Sequence, residues 1–261
     1  MEVIILQDVK EIGGIAADAI GALLRRKPTA VLGLATGSSP LAIYDELVSR
    51  CDAGLISFRQ ARGFTLDEYV GLPADHPQRY RNVIVNVLVS RVDFAPGAVQ
   101  GPDGLAADIP TACAEYENAI QHAGGLDLQI LGIGTDGHIG FNEPGSSLGS
   151  RTRIKTLTRQ TRLDNARFFD GDVDSVPTHC LTQGLATIMA ARHLILVAIG
   201  RRKSEAVHHL VEGPVSALWP ATILQHHPHV TALLDDAAAE RLQLANYYRE
   251  TYRSKPDRQG I

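Results

Sequence analysis

The sequence predicts an α/β protein: a three-layer, doubly wound, mostly parallel sheet. Two observations predict it. Short apolar runs alternate with longer amphipathic stretches along the 261 residues, and the residue types that carry chemistry gather just after the apolar runs. Strands that alternate with helices in this way pair in parallel through helical crossovers. No internal repeat, low-complexity tract or Pro/Gly-rich linker divides the chain, so residues 1–261 are expected to form one domain.

In chain order, Val3–Leu6 reads as a first strand, and Asp8 suits the N-cap of a helix with Ile12, Ile15, Ala16, Ala19, Ile20, Leu23 and Leu24 on one face. Ala30–Ala35 is a second apolar run. Leu41, Tyr44, Leu47, Val48 and Cys51 then recur at helical spacing. Gly63–Leu66 reads as a third strand that ends at Asp67. Tyr80–Leu88 and Thr111–Ile120 read as helices, and Leu126–Ile133 as a buried strand. Leu194–Ile199 is a further strand, Ser204–Leu210 a helix, His229–Leu234 a last strand and Ala237–Tyr248 a last helix. Residues 143–180 fit the alternation least. They are polar and rich in Arg, Thr and Ser, which suggests an excursion over the ligand edge of the sheet, with 150–182 as a lid.

Composition removes several functions. Apolar residues are 44% and charged residues 21%, ordinary for a globular protein. Net charge is −4, so a dedicated nucleic-acid binder is not expected. Cys51, Cys113 and Cys180 are far apart and odd in number, which argues against a disulfide framework and fits a reducing compartment. The N-terminal residues lack a basic region followed by an apolar one, and no segment approaches the ~18 apolar residues of a membrane span. A cytoplasmic enzyme is the expectation.

In an open parallel sheet, ligands sit beyond the carboxyl ends of the strands. The loop after the second strand reads Thr36-Gly37-Ser38-Ser39-Pro40. Ser39 suits an N-cap and Pro40 the first helical position, giving a hydroxyl-rich turn where free N–H groups favour an anion such as phosphate. No Lys follows as in a Walker loop; an ordinary capped turn is the alternative. After the third strand, Asp67 and Glu68 place carboxylates at the ligand edge, where one can act as a base or both can simply begin a solvated turn.

Gly132 to Pro144 contains Gly-x-Gly-x-x-Gly, yet Gly140, Asn142 and Pro144 break the helix a dinucleotide fingerprint needs. Asp136, His138 and Glu143 crowd this segment. A His between carboxylates has its charged form stabilised and can move a proton; a packed structural His and a metal site are the competing readings, although the spacing matches no zinc motif. Arg151, Arg153, Lys155, Arg159, Arg162 and Arg167 form a basic stretch, and Lys203 follows the strand ending near Ile199, so local anion binding or a solvated face is expected there. His208, His209, His226, His227 and His229 have no recognised ligand spacing, and no metal is expected.

Three blocks in order resemble the glucosamine-6-phosphate deaminase family: Leu66-Asp67-Glu68-Tyr69-Val70-Gly71-Leu72-Pro73, the run from Asp136 to Pro144, and Ser150-Arg151-Thr152-Arg153-Ile154-Lys155-Thr156-Leu157. The resemblance covers nearly the whole chain and implies a Rossmann-like fold of the deaminase/ribose-phosphate isomerase type. It also implies reversible conversion of glucosamine 6-phosphate and water to fructose 6-phosphate and ammonia, with no cofactor. Carried over by motif, His138 assists ring opening, held by Asp136 and Glu143. Asp67 takes the C2 proton and returns it at C1 through a cis-enediol-type intermediate. Thr36, Gly37, Ser38 and Ser39 cradle the phosphate, with Arg167 and Lys203 adding charge. The turn here reads Thr-Gly-Ser-Ser-Pro where other members have Thr-Gly-Gly-Thr-Pro. The resemblance further implies a homo-oligomer, a hexamer in many members, activated by N-acetylglucosamine 6-phosphate at Ser146, Arg153, Lys155, Thr156 and Tyr247. A 6-phosphogluconolactonase shares the Gly-x-Asp-Gly-His block but not Phe141–Pro144. A galactosamine-6-phosphate deaminase differs only in C4 selectivity. A sugar-phosphate sensor would not need the intact Asp67, Asp136, His138 and Glu143 set.

Overall fold

The structure is a computed structural model that describes residues 1–256 and 259–261. Its elements run β1 (Glu2–Leu6), α1 (Val9–Arg26), β2 (Val31–Leu34), α2 (Leu41–Asp52), β3 (Arg62–Thr65), β4 (Asp67–Tyr69), α3 (Tyr80–Val87), β5 (Val99–Gln100), α4 (Ile109–His122) and β6 (Leu128–Gly132). They continue with β7 (Arg153–Thr156), α5 (Arg159–Asn165), β8 (His179–Thr182), α6 (Leu185–Met189), β9 (Leu194–Ala198), α7 (Ser204–Glu212), β10 (Val230–Asp235) and α8 (Ala245–Arg253).

Seven strands form one parallel sheet in the order β1-β10-β9-β6-β2-β3-β5. Helices flank it, so the doubly wound α/β expectation is borne out. Its strands β2, β9 and β10 are apolar almost throughout because both faces are covered, and Leu32, Leu131, Ile195, Leu196 and Leu233 are buried in the main core. Asp8 caps α1 as expected, its carboxylate accepting the Lys10 N–H at 2.9 Å. Among the described residues no helix is long and apolar enough to cross a membrane.

Three expectations need correction. The third strand does not stop at a loop: after one residue out of the ladder, Leu66, the chain enters β4, so Asp67 begins a strand of a second sheet. That sheet is antiparallel, in the order β4-β8-β7, and draws two strands from the polar excursion. It covers its own small core of Tyr69, Leu72, Phe141, Leu157, Ala166, Phe169, Val176 and Cys180. The last helix is α8 at 245–253, not 237–248. Asp235 accepts the N–H groups of Gly200 and Ala238 and holds the chain after β10 in a turn. Ser39 is not an N-cap with a side-chain bond: α2 starts at Leu41, behind Pro40, and no side chain caps it.

The sheet order reverses direction between β2 and β6. From β2 the chain moves out through β3 to β5; from β6 it moves the other way through β9 and β10. The carboxyl ends of β2 and β6 therefore flank the topological switch point, where open α/β sheets bind their ligands.

Candidate active site

The loop leaving β6 carries the densest chemistry. Its backbone closes on itself: Gly134 N donates to His138 O at 2.8 Å and Gly137 N to Gly134 O at 3.1 Å. This fold lays the His138 ring on Gly134. A Cβ at residue 134 would stand 2.3 Å from His138 Cε1, so only glycine fits beneath the ring.

His138 Nδ1 lies 2.7 Å from Asp136 Oδ1 and 3.6 Å from Glu143 Oε2. The short approach to Asp136 is a charge contact rather than an aligned hydrogen bond, since among the described residues Nδ1 and Glu143 Oε2 are buried without an aligned hydrogen-bond partner. The other Glu143 oxygen accepts from Thr161 Oγ1 at 2.5 Å, and the His138 amide donates to Asp136 Oδ1 at 3.2 Å. Burial disfavours the imidazolium, but the two carboxylates outweigh it and raise the His138 pKa to about 9. Burial also pushes Asp136 up, yet its contact with His138 prevails and holds it well below the usual carboxylate range. Ligand atoms of Asp136, His138 and Glu143 lie within 4.8 Å of one another, close enough for a divalent cation and equally for a His clamped by two acids.

Asp67, 6% exposed, opens β4 opposite Thr182. Among the described residues its carboxylate accepts no hydrogen bond, which leaves its oxygens available. Burial pushes its pKa up to about 8, Glu68 pushes the same way, and the His138 charge opposes them. That last effect places Asp67 and His138 within electrostatic reach of each other. Glu68 faces away, accepting the N–H groups of Tyr69, Tyr80 and Arg81 at 2.9 to 3.0 Å and lying 3.7 Å from Arg79 Nε. It seats the start of α3, a role that needs the tertiary fold to be seen.

The turn 36–39 follows β2 on the same edge. Gly37 takes φ +96°, and Gly37 and Ser38 are exposed. Ser39 lies over the carboxyl end of β6: a Cβ at Gly132 would be 4.0 Å from Ser39 Oγ. Lys203, half-buried in the turn before α7, feels Asp164, Arg167 and Asp136, and burial lowers its pKa. The structure thus brings Lys203 and Arg167 to the Asp136 side of the site, two like charges that an anion would reconcile. Ser146 is buried just past the loop, its amide on Glu143 O at 3.0 Å and, among the described residues, its Oγ without a partner. Arg153 and Lys155 share one half-buried face of β7, with Thr156 exposed beside them. Tyr247 is 58% exposed on α8, which packs on β1. Among the described residues it makes no hydrogen bond or ring contact with Ser146, Arg153, Lys155 or Thr156.

A cavity of about 810 Å³ opens at the opposite, amino edge of the sheet, between α1 and the C-terminal segment. His193, His229, Arg192 and Tyr252 line it, and none of the candidate site residues on the carboxyl edge does. The chemistry lies instead on the carboxyl edge, where buried ionisable groups converge.

Known proteins resemble this chain over most or all of its length. The family model of glucosamine-6-phosphate isomerases/6-phosphogluconolactonase matches residues 9–233. The glucosamine-6-phosphate deaminase of Mycolicibacterium smegmatis is 80% identical over 261 residues, covering both chains completely. That of Streptomyces coelicolor is 56% identical over the same full span. Among solved structures, a monomeric glucosamine-6-phosphate deaminase is 41% identical with a TM-score of 0.89, covering 92% of this chain and 99% of its own. A 6-phosphogluconolactonase of Trypanosoma cruzi, 22% identical with a TM-score of 0.76 over 93% and 97% of the two chains, shares the fold.

Proposed function

Since the chain belongs to the family of glucosamine-6-phosphate isomerases and 6-phosphogluconolactonases, we propose how its own residues carry out deamination. It is an enzyme that converts glucosamine 6-phosphate and water to fructose 6-phosphate and ammonia. The observation that supports the roles below is that Asp67, opening β4, lies within electrostatic reach of His138, in the loop that leaves β6.

The substrate enters as a pyranose. His138, held protonated by Asp136 and Glu143, gives its proton to the ring oxygen and takes one from the C1 hydroxyl, so that the C1–O5 bond opens to an aldehyde. Asp67 then removes the C2 proton. The C2 electrons form a C1–C2 double bond, and the aldehyde oxygen takes a proton from the substrate's C2 ammonium to become an enol hydroxyl. Asp67 delivers its proton to C1, leaving a C2 imine. Water adds to C2 and ammonia departs, which gives the ketose. Asp67 suits this work because a base held near pKa 8 has a stronger pull on a C–H proton than an ordinary carboxylate. Thr36, Gly37, Ser38 and Ser39, with Arg167 and Lys203, hold the phosphate. Remote binding energy then orients C1 and C2 between the two catalytic groups.

Incubation with glucosamine 6-phosphate, with ammonia and fructose 6-phosphate measured between neutral and mildly alkaline pH, tests the reaction; absence of both products rejects it. The same assay with galactosamine 6-phosphate sets C4 selectivity.

We also read residues 1–261 as one cytoplasmic domain, because β4 continues directly from β3, and residues 150–182 as a lid with its own small core. Ser146, Arg153, Lys155, Thr156 and Tyr247 form the proposed site for N-acetylglucosamine 6-phosphate in a homo-oligomer, hexameric as in many relatives. The partnerless Ser146 Oγ and the shared face of Arg153 and Lys155 support it. The 41%-identical solved relative is a monomer. Sigmoidal kinetics that turn hyperbolic with the activator, in a species whose solution mass exceeds 28.1 kDa several-fold, are expected; an unchanged curve removes the activator.

A further inference from the structure

The small sheet joins the two halves of the site in a single row. Thr182, on the central strand β8, pairs on one side with Asp67 of β4 and on the other with Arg153 of β7. Residues directly opposite in antiparallel strands project to the same face. Asp67, Thr182 and Arg153 therefore present three side chains in line, and the face they share meets the loop that carries His138.

Two of the three grip that loop. Thr182 Oγ1 accepts the Phe141 N–H at 3.0 Å and donates to the carbonyl of Gln183 at 3.3 Å. Arg153 Nη1 donates to Asn142 Oδ1 at 2.9 Å. The Asn142 amide group, fully buried, donates in turn to Ile139 O at 2.9 Å and to Gln183 O at 2.8 Å. Gln183 N bonds Leu66 O, the residue before Asp67, at 2.9 Å. Every polar atom of the Asn142 side chain is thus committed, and the segment between His138 and Glu143 is tied to β8, which pairs with the Asp67 strand, and to β7 beyond it.

We propose that Thr182 is a positioning residue for the deamination, with Asn142 and Arg153 as its partners: the row fixes the separation between the Asp67 carboxylate and the His138 loop. This deepens the reading of Asp67 as C2 base and His138 as ring-opening group, and rests on it. Arg153 is then engaged within its own chain, and any effector that recruits Arg153 must act through, or compete with, its grip on Asn142. A displacement of about 1 Å between reacting groups is enough to cost about 10²-fold in rate, which sets the scale of the effect.

The test compares Thr182→Val, which keeps the shape and loses the acceptor for Phe141 N–H, with Thr182→Ser, which keeps the hydroxyl. Steady-state kinetics with glucosamine 6-phosphate, a pH profile and thermal unfolding are measured on each purified variant. Thr182→Val is expected to lower kcat by about 10- to 10²-fold with KM within a few-fold, because the phosphate is held elsewhere. The alkaline limb set by His138 should shift as its loop relaxes. Thr182→Ser is expected to recover most of the rate. Arg153→Met releases Asn142 from the exposed side and should give the same pattern more weakly, which provides the measurement if Thr182→Val does not fold. Wild-type kcat in the folded Val or Met variant, or equal losses in Val and Ser that follow only thermal stability, overturns the proposal. Failure of the underlying reading shows separately, as an Asp67→Asn or His138→Gln variant that keeps wild-type kcat.

Discussion

His138 and His193 stand at opposite ends of the same sheet and have opposite fates. His138 follows β6 at the carboxyl end, against two carboxylates, and its pKa rises to about 9. His193 precedes β9 at the amino end, buried, stacked 3.6 Å from His229 with the rings 2° from parallel, its Nε2 on Thr231 Oγ1 at 3.0 Å. Burial and the nearby His229, His227 and Lys255 drive its pKa down to about 3. Both are largely enclosed, so burial alone does not separate them. What differs is the sign of the charge each faces, and that favours the charged imidazole in one and the neutral ring in the other.

The largest expected effects break the carboxyl end. Asp67→Asn should lower kcat/KM by about 10³-fold or more and His138→Gln by about 10²-fold, in steady-state assays of ammonia release. His193→Gln, measured alongside, should stay within about twofold of wild type. A comparable loss in His193→Gln would erase the distinction between the two ends.

Gly134→Ala probes the same end without touching an ionisable group. The new methyl would meet the imidazole, so the ring must move off Asp136. We expect a loss of about 10²-fold in kcat, together with a lower pKa on the alkaline limb.

How much of this was legible in the sequence follows from where the information sits. The strands β1, β2, β6, β9 and β10 are apolar runs enclosed on both faces, and local composition marks them. The small sheet was not legible. Its β4 is Asp-Glu-Tyr and its β7 is Arg-Ile-Lys-Thr, segments whose strand character comes only from pairing with β8. Asp67, Asp136, His138 and Glu143 were legible because their chemistry is concentrated in short blocks. Thr182 and Glu68 were not, since a threonine in a four-residue strand and an acid beside another acid gain meaning only from what the fold sets against them. The helix expected from Ala237 is replaced by a run of turns, with Asp235 accepting the Ala238 N–H, before α8 begins at Ala245. The Ser39 cap failed because the helix starts two residues later.

Smaller effects appear in stability against pH, with opposite signs at the two ends. His138 is raised in the folded protein, so its contribution is complete below about 6.5 and is lost as pH rises through about 9. From the shift it is on the order of 3 kcal/mol. Asp67 is raised as well: the folded protein holds that proton up to about 8, and stability falls across the window from about 4 to 8. His193 is depressed, so its contribution is present above about 6.5 and is lost as pH falls toward 3. Thermal unfolding from pH 4 to 10 should therefore lose its alkaline slope in His138→Gln and soften its acid slope in His193→Gln. Unchanged slopes in both variants would contradict the opposed environments.

The smallest effect concerns the phosphate turn. Ser39→Ala should raise KM several-fold and leave kcat near wild type, since one hydroxyl contributes about 1 kcal/mol to binding. A kcat loss of the size expected for Gly134→Ala would place Ser39 at the chemistry instead.

The most direct measurement is solvent deuterium uptake into the hexose phosphate, followed by NMR at C1 of the fructose 6-phosphate in wild type, Asp67→Asn and His138→Gln. Asp67→Asn should take up none, even when supplied with fructose 6-phosphate and ammonia, while still binding sugar phosphate. His138→Gln should retain exchange from the open-chain ketose and lose it from the pyranose. Undiminished exchange in Asp67→Asn would show that another group moves the C2 proton, and that the carboxylate on β4 and the imidazole beyond β6 do not work on one substrate.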